Sequence, residues 1–439
     1  MSQPRKAAFH TLGCKVNMYE TESMREDFLR AGFDIVSENE AADVYIINTC
    51  TVTAVADRKS RQFIRRMKQK NPDAVICVTG CYVQTRPDEV SGIDGVDIIA
   101  GTNEKENIVK YVSEFMDRGA EPEVHVLSYD ELSDYHGSGL ITSMESRTRA
   151  FLKIEEGCDR FCTYCVIPYA RGPVRSRPMD EIVEEARHLV RGGFRELILT
   201  GINTALYEDL EGLLGRLEDL DGDFRVRLSS LEPTVINKDY VKKLFRFDRL
   251  CHHLHLSLQS GSDDILSAMR RRYDMKEYME IVEELRAFDP LYGISTDIIA
   301  GFPGESEEDH SRSIAAIGDA CFVRTHAFGY SRRPGTVAAS MKDQIPAPVK
   351  KQRVKDLIAA GEKTAADFVR KNIGTEAVVI FEENAGTPGG TGDDPMMTGY
   401  TGNYIRAYAP YDEDMLGRLC RVRITDLYAD GALCEVLKG

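Results

Sequence analysis

The stretch Cys158-Asp-Arg-Phe-Cys162-Thr-Tyr-Cys165 places three cysteines within eight residues. A loop of this length can present thiolates to three irons of a cubane cluster and leave the fourth iron without a protein ligand. Zinc is the alternative, but a tetrahedral zinc site needs a fourth Cys or His nearby, and the neighbouring residues provide none. We call these cysteines the central triad, and their spacing predicts an iron–sulfur cluster whose open iron can bind a substrate or cofactor.

The central triad follows the first of six apolar runs that alternate with helical patterns. Such alternation is typical of α/β folds, and here it favours an α/β barrel or part-barrel over an open sheet alone. Active sites of barrel enzymes lie in the loops at the carboxyl ends of the strands, which is where the triad falls. The runs are Phe151–Ile154, Glu196–Leu199, Arg225–Ser229, His253–Gln259, Ile294–Ile299 and Thr325–Tyr330, with helical patterns such as Asp180–Arg191 and Met275–Phe288.

In His253-Leu-His255-Leu-Ser257-Leu-Gln259, leucines alternate with polar residues. One face of this strand is polar where a barrel normally packs Val and Ile, which predicts a polar lumen and a bound cofactor. A zinc site on His253 and His255 is the alternative. We expect hydrogen bonding instead, because one strand supplies only these two ligands to one face.

The first third of the chain repeats a unit of an apolar run and an amphipathic helical pattern. Runs spaced by about 30 residues with a helix between them predict βαβ units and a parallel sheet. The runs are Ala7–Leu12, Asp43–Ile47 and Ala74–Thr79, and the helical patterns between them include Thr21–Ala31 and Lys59–Gln69.

Cys14, Cys50 and Cys81 each lie just after one of these predicted strands. Parallel strands point the same way, so their carboxyl ends share the crevice where open α/β sheets bind ligands. For any one cysteine, a small buried residue at a strand end is the simpler interpretation. Their equivalent positions in successive units favour a second three-thiolate site, which we call the N-terminal triad.

The last quarter of the chain changes character. A long helical pattern, Val349–Asn372, lies between Pro348 and Gly374 and is followed by short β-like runs with turn residues. These runs predict a small β-barrel. They are Glu376–Glu382, Tyr404–Tyr408, Leu419–Ile424 and Ala432–Leu437.

Acidic residues outnumber basic ones, 71 to 56, for a net charge of −15 over 439 residues. The average field therefore does not favour nucleic acid, and any contact with it must use local patches. The richest patch is Asp57–Lys70, with seven positive charges and one negative, while Arg270–Arg272 and Lys350–Lys351 form smaller groups. A solvated helix face is the alternative interpretation of such runs.

No stretch approaches the ~18 consecutive apolar residues that span a bilayer, and the N-terminus lacks an apolar signal region. We therefore expect a cytoplasmic protein without membrane contact. Eleven cysteines are too few for a disulfide scaffold in a chain of this length, so the clustered ones are expected to bind metal or do redox chemistry.

The central triad and its flanks, Lys153-Ile-Glu-Glu-Gly157 before it and Pro168-x2-Arg171-Gly172 after it, resemble the radical S-adenosylmethionine (SAM) signature of the methylthiotransferases. The resemblance covers essentially the whole chain. It implies that SAM binds the open iron through its methionine amine and carboxylate and that one-electron reduction cleaves it to a 5′-deoxyadenosyl radical. It also implies that the N-terminal triad holds a second [4Fe–4S] cluster that supplies or carries sulfur.

The resemblance also implies a domain order and further site residues. The expected parts are a cluster domain with a parallel βαβ sheet (1–127), a linker (128–147), a radical SAM (β/α)6 part-barrel (148–345), a connecting helix (346–374) and a TRAM-like RNA-binding β-barrel (375–439). The residues expected to bind SAM are Tyr164, Gly201, Asn203, Ser257, Gln259, Gly301 and Glu305, although the Gly-Gly-Glu of many radical SAM enzymes is missing. The residues expected to contact RNA are Arg58, Lys59, Arg61, Arg65, Arg66, Tyr404 and Arg406.

The substrate follows from the segment Thr11-Leu-Gly-Cys14-Lys15-Val16-Asn17, which looks most like the branch acting on N6-threonylcarbamoyladenosine at tRNA position 37. The branches acting on isopentenyladenosine-37 and on a ribosomal protein aspartate usually have Gly-Cys-Gln-Met-Asn and Gly-Cys-Pro-Lys-Asn, which Lys15 and Val16 do not fit. The expected partners are the tRNA anticodon loop and a low-potential donor such as flavodoxin or ferredoxin, with the protein as a monomer. The competing class is a non-catalytic electron carrier or redox sensor with two clusters, but a carrier normally completes each cluster with four cysteines.

Overall fold

The computed structural model describes residues 4–118, 121–132, 135, 139–142, 144, 148–388 and 395–437. The expected linker 128–147 therefore lies partly outside the described residues. None of the described helices is long and apolar enough to cross a membrane.

The N-terminal domain is a six-stranded, fully parallel sheet with strand order β2-β1-β3-β4-β5-β6. Helix α2 packs on one face, and helices α1 and α5 pack on the other. Strands β3 and β4 are buried along their whole length, which explains their continuous apolar sequences. The strands are β1 (Lys6–Thr11), β2 (Asp34–Val36), β3 (Val44–Thr49), β4 (Val75–Gly80), β5 (Ile98–Ala100) and β6 (Glu123–His125). The helices are α1 (Lys15–Arg30), α2 (Ala54–Lys70), α3 (Cys81–Thr85), α4 (Pro87–Ser91) and α5 (Ile108–Arg118), with 3-10 turns at Lys105–Asn107 and Tyr129–Glu131.

The central domain is the expected part-barrel. Its parallel strands run in the order β7-β10-β11-β13-β14-β15, with β12 continuing β11 and a bridge from Val226 to Leu250 joining the two halves. The strands are β7 (Ala150–Lys153), β8 (Glu155–Glu156), β9 (Arg175–Ser176), β10 (Glu196–Thr200), β11 (Arg225–Leu228), β12 (Ser230–Leu231), β13 (His253–Leu256), β14 (Gly293–Ala300) and β15 (Arg324–Gly329). The helices are α6 (Ile167–Arg171), α7 (Met179–Arg191), α8 (Leu210–Glu218), α9 (Lys238–Leu244), α10 (Asp263–Ala268), α11 (Met275–Phe288), α12 (Glu307–Ala320) and α13 (Val337–Ser340), with a 3-10 turn at Thr204–Leu206.

The fourth strand of the part-barrel is shorter than its alternation predicts. It ends at Leu256, and Gln259 adopts a left-handed backbone (φ 70°). The chain nevertheless stays beside β14, because the Gln259 N–H donates to the Asp297 carbonyl at 2.8 Å and the Gln259 carbonyl accepts from Ile299 at 2.9 Å.

Helix α14 (Ala347–Asn372) crosses from the part-barrel to a closed five-stranded barrel. Leu357 of α14 packs in the core of the part-barrel, while Phe368 and Val369 pack in the core of the small barrel. The expected strand Tyr404–Tyr408 begins two residues later, because Tyr404 occupies a turn with φ 73°. The strands are β16 (Glu376–Gly386), β17 (Met396–Thr401), β18 (Arg406–Pro410), β19 (Leu419–Tyr428) and β20 (Gly431–Val436), with a 3-10 turn at Glu413–Met415.

A buried carboxylate, Glu196, joins the small barrel to the part-barrel. Burial raises the pKa of Glu196, but Arg227, Arg225 and Arg149 outweigh burial and hold that pKa well below its ordinary value. All three arginines also reach the small barrel. Arg225 donates to the carbonyls of Val378 and Tyr400, and Arg227 to those of Thr401 and Gly402, at 2.8–3.0 Å. Arg149 pairs with Glu382 at 3.0 Å. The orientation of the small barrel therefore depends on this charge cluster.

We expect Glu196→Gln to lower the free energy of unfolding by about 3–5 kcal/mol, because it leaves buried guanidinium groups without their counter-charge. Chemical denaturation measures this. Glu308→Gln is the matched control, since Glu308 forms an exposed pair with Arg312 and its loss is expected to change the free energy of unfolding little. Equal effects of the two substitutions would contradict the role of Glu196.

Candidate active site

The N-terminal triad lies at one edge of the N-terminal sheet. Cys14 caps α1 after β1, Cys50 follows β3, and Cys81 begins α3 after β4, and these three strands are neighbours. Cys50 and Cys81 are buried, whereas Cys14 is exposed. Gly13 lies against Cys50 with φ 114°, and a Cβ there would lie 2.8 Å from the Cys50 Cβ, so this turn requires glycine.

The central triad lies in the loop that follows β7 and β8 at the mouth of the part-barrel. The Cys158 N–H donates to the Gly172 carbonyl at 3.1 Å, and the Cys165 N–H donates to the Cys162 carbonyl at 2.9 Å. Burial raises the pKa of the Cys158 and Cys165 thiols to about 12. These thiols therefore need a positive counter-charge, such as iron, to bind as thiolates at neutral pH.

Each triad receives a hydrogen bond from one buried arginine. Arg171 Nε donates to Cys81 Sγ at 3.1 Å, and Arg271 Nη1 donates to Cys162 Sγ at 3.3 Å. N–H donors to cluster sulfurs tune the reduction potential of iron–sulfur clusters. Arg271 belongs to the basic group considered for RNA contact, and the structure corrects that interpretation because its guanidinium is buried beside Tyr164 and Tyr273.

In the described part of the chain, no three His, Cys, Asp or Glu side chains are grouped to hold a single metal ion. A cubane cluster joins each thiolate to a different iron, so its ligands do not converge on one point as those of a zinc ion do. The donor set of each triad, three thiols and one arginine donor, fits a cubane better than a mononuclear site.

The central domain contacts all three loops of the N-terminal triad. Arg171 holds Cys81 and also donates to Asn17 and Glu20 on the helix that follows Cys14. Arg333 Nη2 donates to Thr51 Oγ1, next to Cys50, at 2.7 Å and pairs with Asp57 of α2 at 2.6 Å. These contacts set the N-terminal triad against the part-barrel.

Gly201 and Asn203, two of the residues expected to bind SAM, pack against Glu155 near Cys158. The Asn203 N–H donates to Glu155 Oε2 at 2.9 Å, and a Cβ on Gly201 would lie 2.6 Å from the same oxygen. Glu155 Oε1 and Asn203 Oδ1 are buried and have no hydrogen-bond partner among the described residues. Two such acceptors beside the central triad fit the ammonium group of a bound SAM.

The other residues expected to bind SAM are distributed around the same end of the part-barrel. Tyr164 packs against the buried group around Phe302, and the Ser257 carbonyl accepts from Tyr273 at 2.8 Å. Glu305 is already engaged, because it accepts from the Gly301 N–H at 3.0 Å and pairs with Arg353 of α14 at 2.8 Å. A role of these residues in SAM binding stays a prediction.

A cavity of about 440 Å³, the central cavity, lies where the three domains meet. The wall of this cavity is polar, as the alternation of β13 predicts. His253 and His255 each contact Ser295 Oγ at 2.9 Å, and His255 contacts Asp297 at 3.1 Å. Tyr404 of the small barrel stacks on His253. Other lining residues are Gly13, Cys14, Lys15, Thr200, Gly201, Arg227, Ser229 and His326.

The residues expected to contact RNA fall in two places. Along α2, Arg58, Lys59, Arg65 and Arg66 are exposed, whereas Arg61 pairs with Glu89 at 2.8 Å. In the small barrel, Tyr404 lines the central cavity and Arg406 pairs with Asp430 at 3.2 Å. These four cations of α2 are thus more accessible to phosphate than Tyr404 and Arg406.

A parallel part-barrel with a three-cysteine loop after its first strand defines a radical SAM enzyme, and residues 152–316 match the family model of the radical SAM superfamily. Residues 6–101 match the model "Uncharacterized protein family UPF0004". The chain is 41% identical to the "Threonylcarbamoyladenosine tRNA methylthiotransferase MtaB" of Bacillus subtilis, and the match covers 98% of this chain and 97% of that relative. It is 34% identical over 95% of its length, and 96% of the relative's, to the "tRNA-2-methylthio-N(6)-dimethylallyladenosine synthase" of Carboxydothermus hydrogenoformans.

The chain therefore belongs to the radical SAM tRNA methylthiotransferase family and is an enzyme. Among solved structures, it resembles the radical SAM methyltransferase TsrM from Kitasatospora setae, with a TM-score of 0.58 over 77% of each chain and 16% identity. That likeness concerns the fold.

Replacing Cys158, Cys162 and Cys165 together with Ala should leave about half of the iron, because the N-terminal triad belongs to a different domain. Iron and sulfide analysis of the reconstituted protein measures this, with Cys420→Ala in the small barrel as the control that keeps all iron. A folded triple variant with all of its iron, or with none, would contradict two separate cluster sites.

Proposed function

We propose that the protein converts N6-threonylcarbamoyladenosine at position 37 of tRNA to its 2-methylthio derivative, with two [4Fe–4S] clusters and with SAM as radical source and methyl donor. The observation that carries the proposal is the presence of a cysteine triad in each of two docked domains, with Cys14 of the N-terminal triad and Gly201, which packs on Glu155 near Cys158, in the wall of one polar cavity. The name of the Bacillus subtilis relative supports this substrate. A dimethylallyladenosine substrate is the second candidate, because another full-length relative has that name.

When bound, the central cluster and SAM supply the radical that activates the C–H bond of the base, and the N-terminal cluster supplies the sulfur. The residues of this chain hold and orient these groups. Cys158, Cys162 and Cys165 would ligate the first cluster, and Asn203 with Glu155 would accept hydrogen bonds from the SAM ammonium. Arg271 and Arg171 would stabilise negative charge on the ligating sulfurs.

The exposed cations of α2 are suited to hold the RNA backbone close to the site. Helix α2 begins at Ala54, shortly after Cys50, so its first cations, Arg58 and Lys59, lie near the N-terminal triad. An anticodon loop bound along α2 would bring its base towards the central cavity. We further propose a cytoplasmic, monomeric enzyme that receives electrons from a donor such as flavodoxin or ferredoxin.

Mass spectrometry of tRNA nucleosides from cells with and without this protein tests the substrate. The proposal expects loss of the 2-methylthio form of threonylcarbamoyladenosine when the protein is missing. Loss of methylthiolated dimethylallyladenosine instead would favour the second candidate.

Cys50→Ala should abolish methylthiolation but leave 5′-deoxyadenosine formation measurable, because the radical forms at the site of the central triad. Cys162→Ala should abolish both. Both products are quantified by mass spectrometry after addition of SAM, reductant and tRNA, and Cys77→Ala, a buried cysteine of β4, is the control that keeps both. A Cys50 variant with normal methylthiolation would refute the role given to the N-terminal domain.

Reversing Arg65 and Arg66 to Glu should weaken tRNA binding and flatten its salt dependence, by about one unit of log–log slope for each lost phosphate contact. Binding titrations over a range of salt concentrations measure this. Reversal of Lys355 and Lys363, two exposed cations of α14, makes the same charge change away from α2 and serves as the control. If both double variants bind alike, α2 is an ordinary solvated helix.

A further inference from the structure

Lys15 is the residue of the central cavity whose charge the protein does not balance. Its Nζ donates to Ser229 Oγ at 3.3 Å, a neutral partner, and it forms no ion pair with any described residue. Lys15 lies directly after Cys14, and both residues line the cavity. An ammonium group that is partly removed from water with only a hydroxyl as partner is incompletely satisfied.

The carboxylates near Lys15 are engaged with other groups. Glu196 pairs with Arg225 and Arg227 at 2.6 and 2.8 Å, and Asp297 contacts His255 at 3.1 Å. Among the other charged or titratable groups close to Lys15, Arg149 and Arg227 repel its charge. A negatively charged group of a ligand could therefore pair with the Lys15 ammonium.

We infer that the Lys15 ammonium binds a carboxylate of the ligand in the central cavity and, if the proposed function is correct, that this carboxylate belongs to the threonylcarbamoyl group. That group is a urea-linked threonine with a free carboxylate, whereas a dimethylallyl group is an uncharged hydrocarbon. A volume of about 440 Å³ suits a modified base of this size. Because Lys15 adjoins Cys14, an ion pair here holds the modified adenine beside the N-terminal triad.

The same cavity offers partners for the rest of such a side chain. Ser229, Ser295 and the Asp297–His255 pair can exchange hydrogen bonds with a urea and a hydroxyl group. Among the described residues of this wall, Lys15 alone is positively charged and has no ion-pair partner. Lys15 therefore determines the selectivity for an acidic over a neutral side chain of the ligand.

The test compares anticodon stem–loop RNAs that carry threonylcarbamoyladenosine, its methyl ester, or dimethylallyladenosine. For each RNA, kcat and KM of methylthiolation are measured with reconstituted wild-type protein, Lys15→Gln, Lys15→Arg and the control Lys342→Gln, an exposed lysine of the central domain. The wild type should prefer the acid over the ester by roughly 10- to 100-fold, as expected for a charge-assisted hydrogen bond. Lys15→Gln should bring that ratio to about one, mainly through KM, while Lys15→Arg and Lys342→Gln should retain most of it.

The outcomes separate the inference from the proposed function. If the wild type methylthiolates the acid and the ester equally well, or if Lys15→Gln retains the wild-type ratio, the role of Lys15 is refuted and the proposed function stands. If the wild type acts on dimethylallyladenosine RNA and on neither threonylcarbamoyl RNA, both are refuted. Should Lys15→Gln lose iron because of its position next to Cys14, the dissociation constants of the acid and ester stem–loops, which need no turnover, give the ratio for wild type and Lys15→Gln instead.

Discussion

The buried guanidinium of Arg171 is the contact on which the arrangement of the two domains depends. It has no exposed surface and bonds to Glu20 and Asn17 of the N-terminal domain, to Glu156 of its own domain and to Cys81. A charge removed from water in this way is tolerated only when every donor is matched by an acceptor. Separation of the domains would remove Glu20, Asn17 and Cys81 from Arg171 and leave part of a buried guanidinium without acceptors, so the two triads keep a fixed relation to each other.

The same network gives the N-terminal triad a positive environment. Lys105 and Lys153 also pair with Glu20, so three cations surround two carboxylates next to Cys81. The excess positive charge suits a site whose thiolates are negative. The same side chains thus hold the two domains together and give the N-terminal triad its positively charged surroundings.

A second buried charge cluster, around Glu196, attaches the small barrel so that Tyr404 completes the wall of the central cavity. Residues of all three domains line that cavity, and no domain contains it alone. The three domains therefore form this cavity together. Its polar groups are held by hydrogen bonds within the part-barrel, which favours a preformed pocket.

The sequence by itself determined the α/β class, the part-barrel and the positions of both cysteine triads at strand ends, because parallel strands share one edge and cysteine spacing is a local property. It missed β2, β5, β6, β8, β9, β12 and β17, strands of two to six residues whose sequences carry too little periodicity. Only the tertiary structure decided which charged side chains are buried and which of them are paired. Arg271 belongs to a basic run in the sequence, but its guanidinium is buried and donates to Cys162 Sγ. Glu305 pairs with Arg353, and Lys15 lines a cavity and has no ion-pair partner among the described residues. Each of these outcomes depends on residues that are far away in the sequence and that bury the charged group or pair with it. A local sequence pattern contains no information about such contacts.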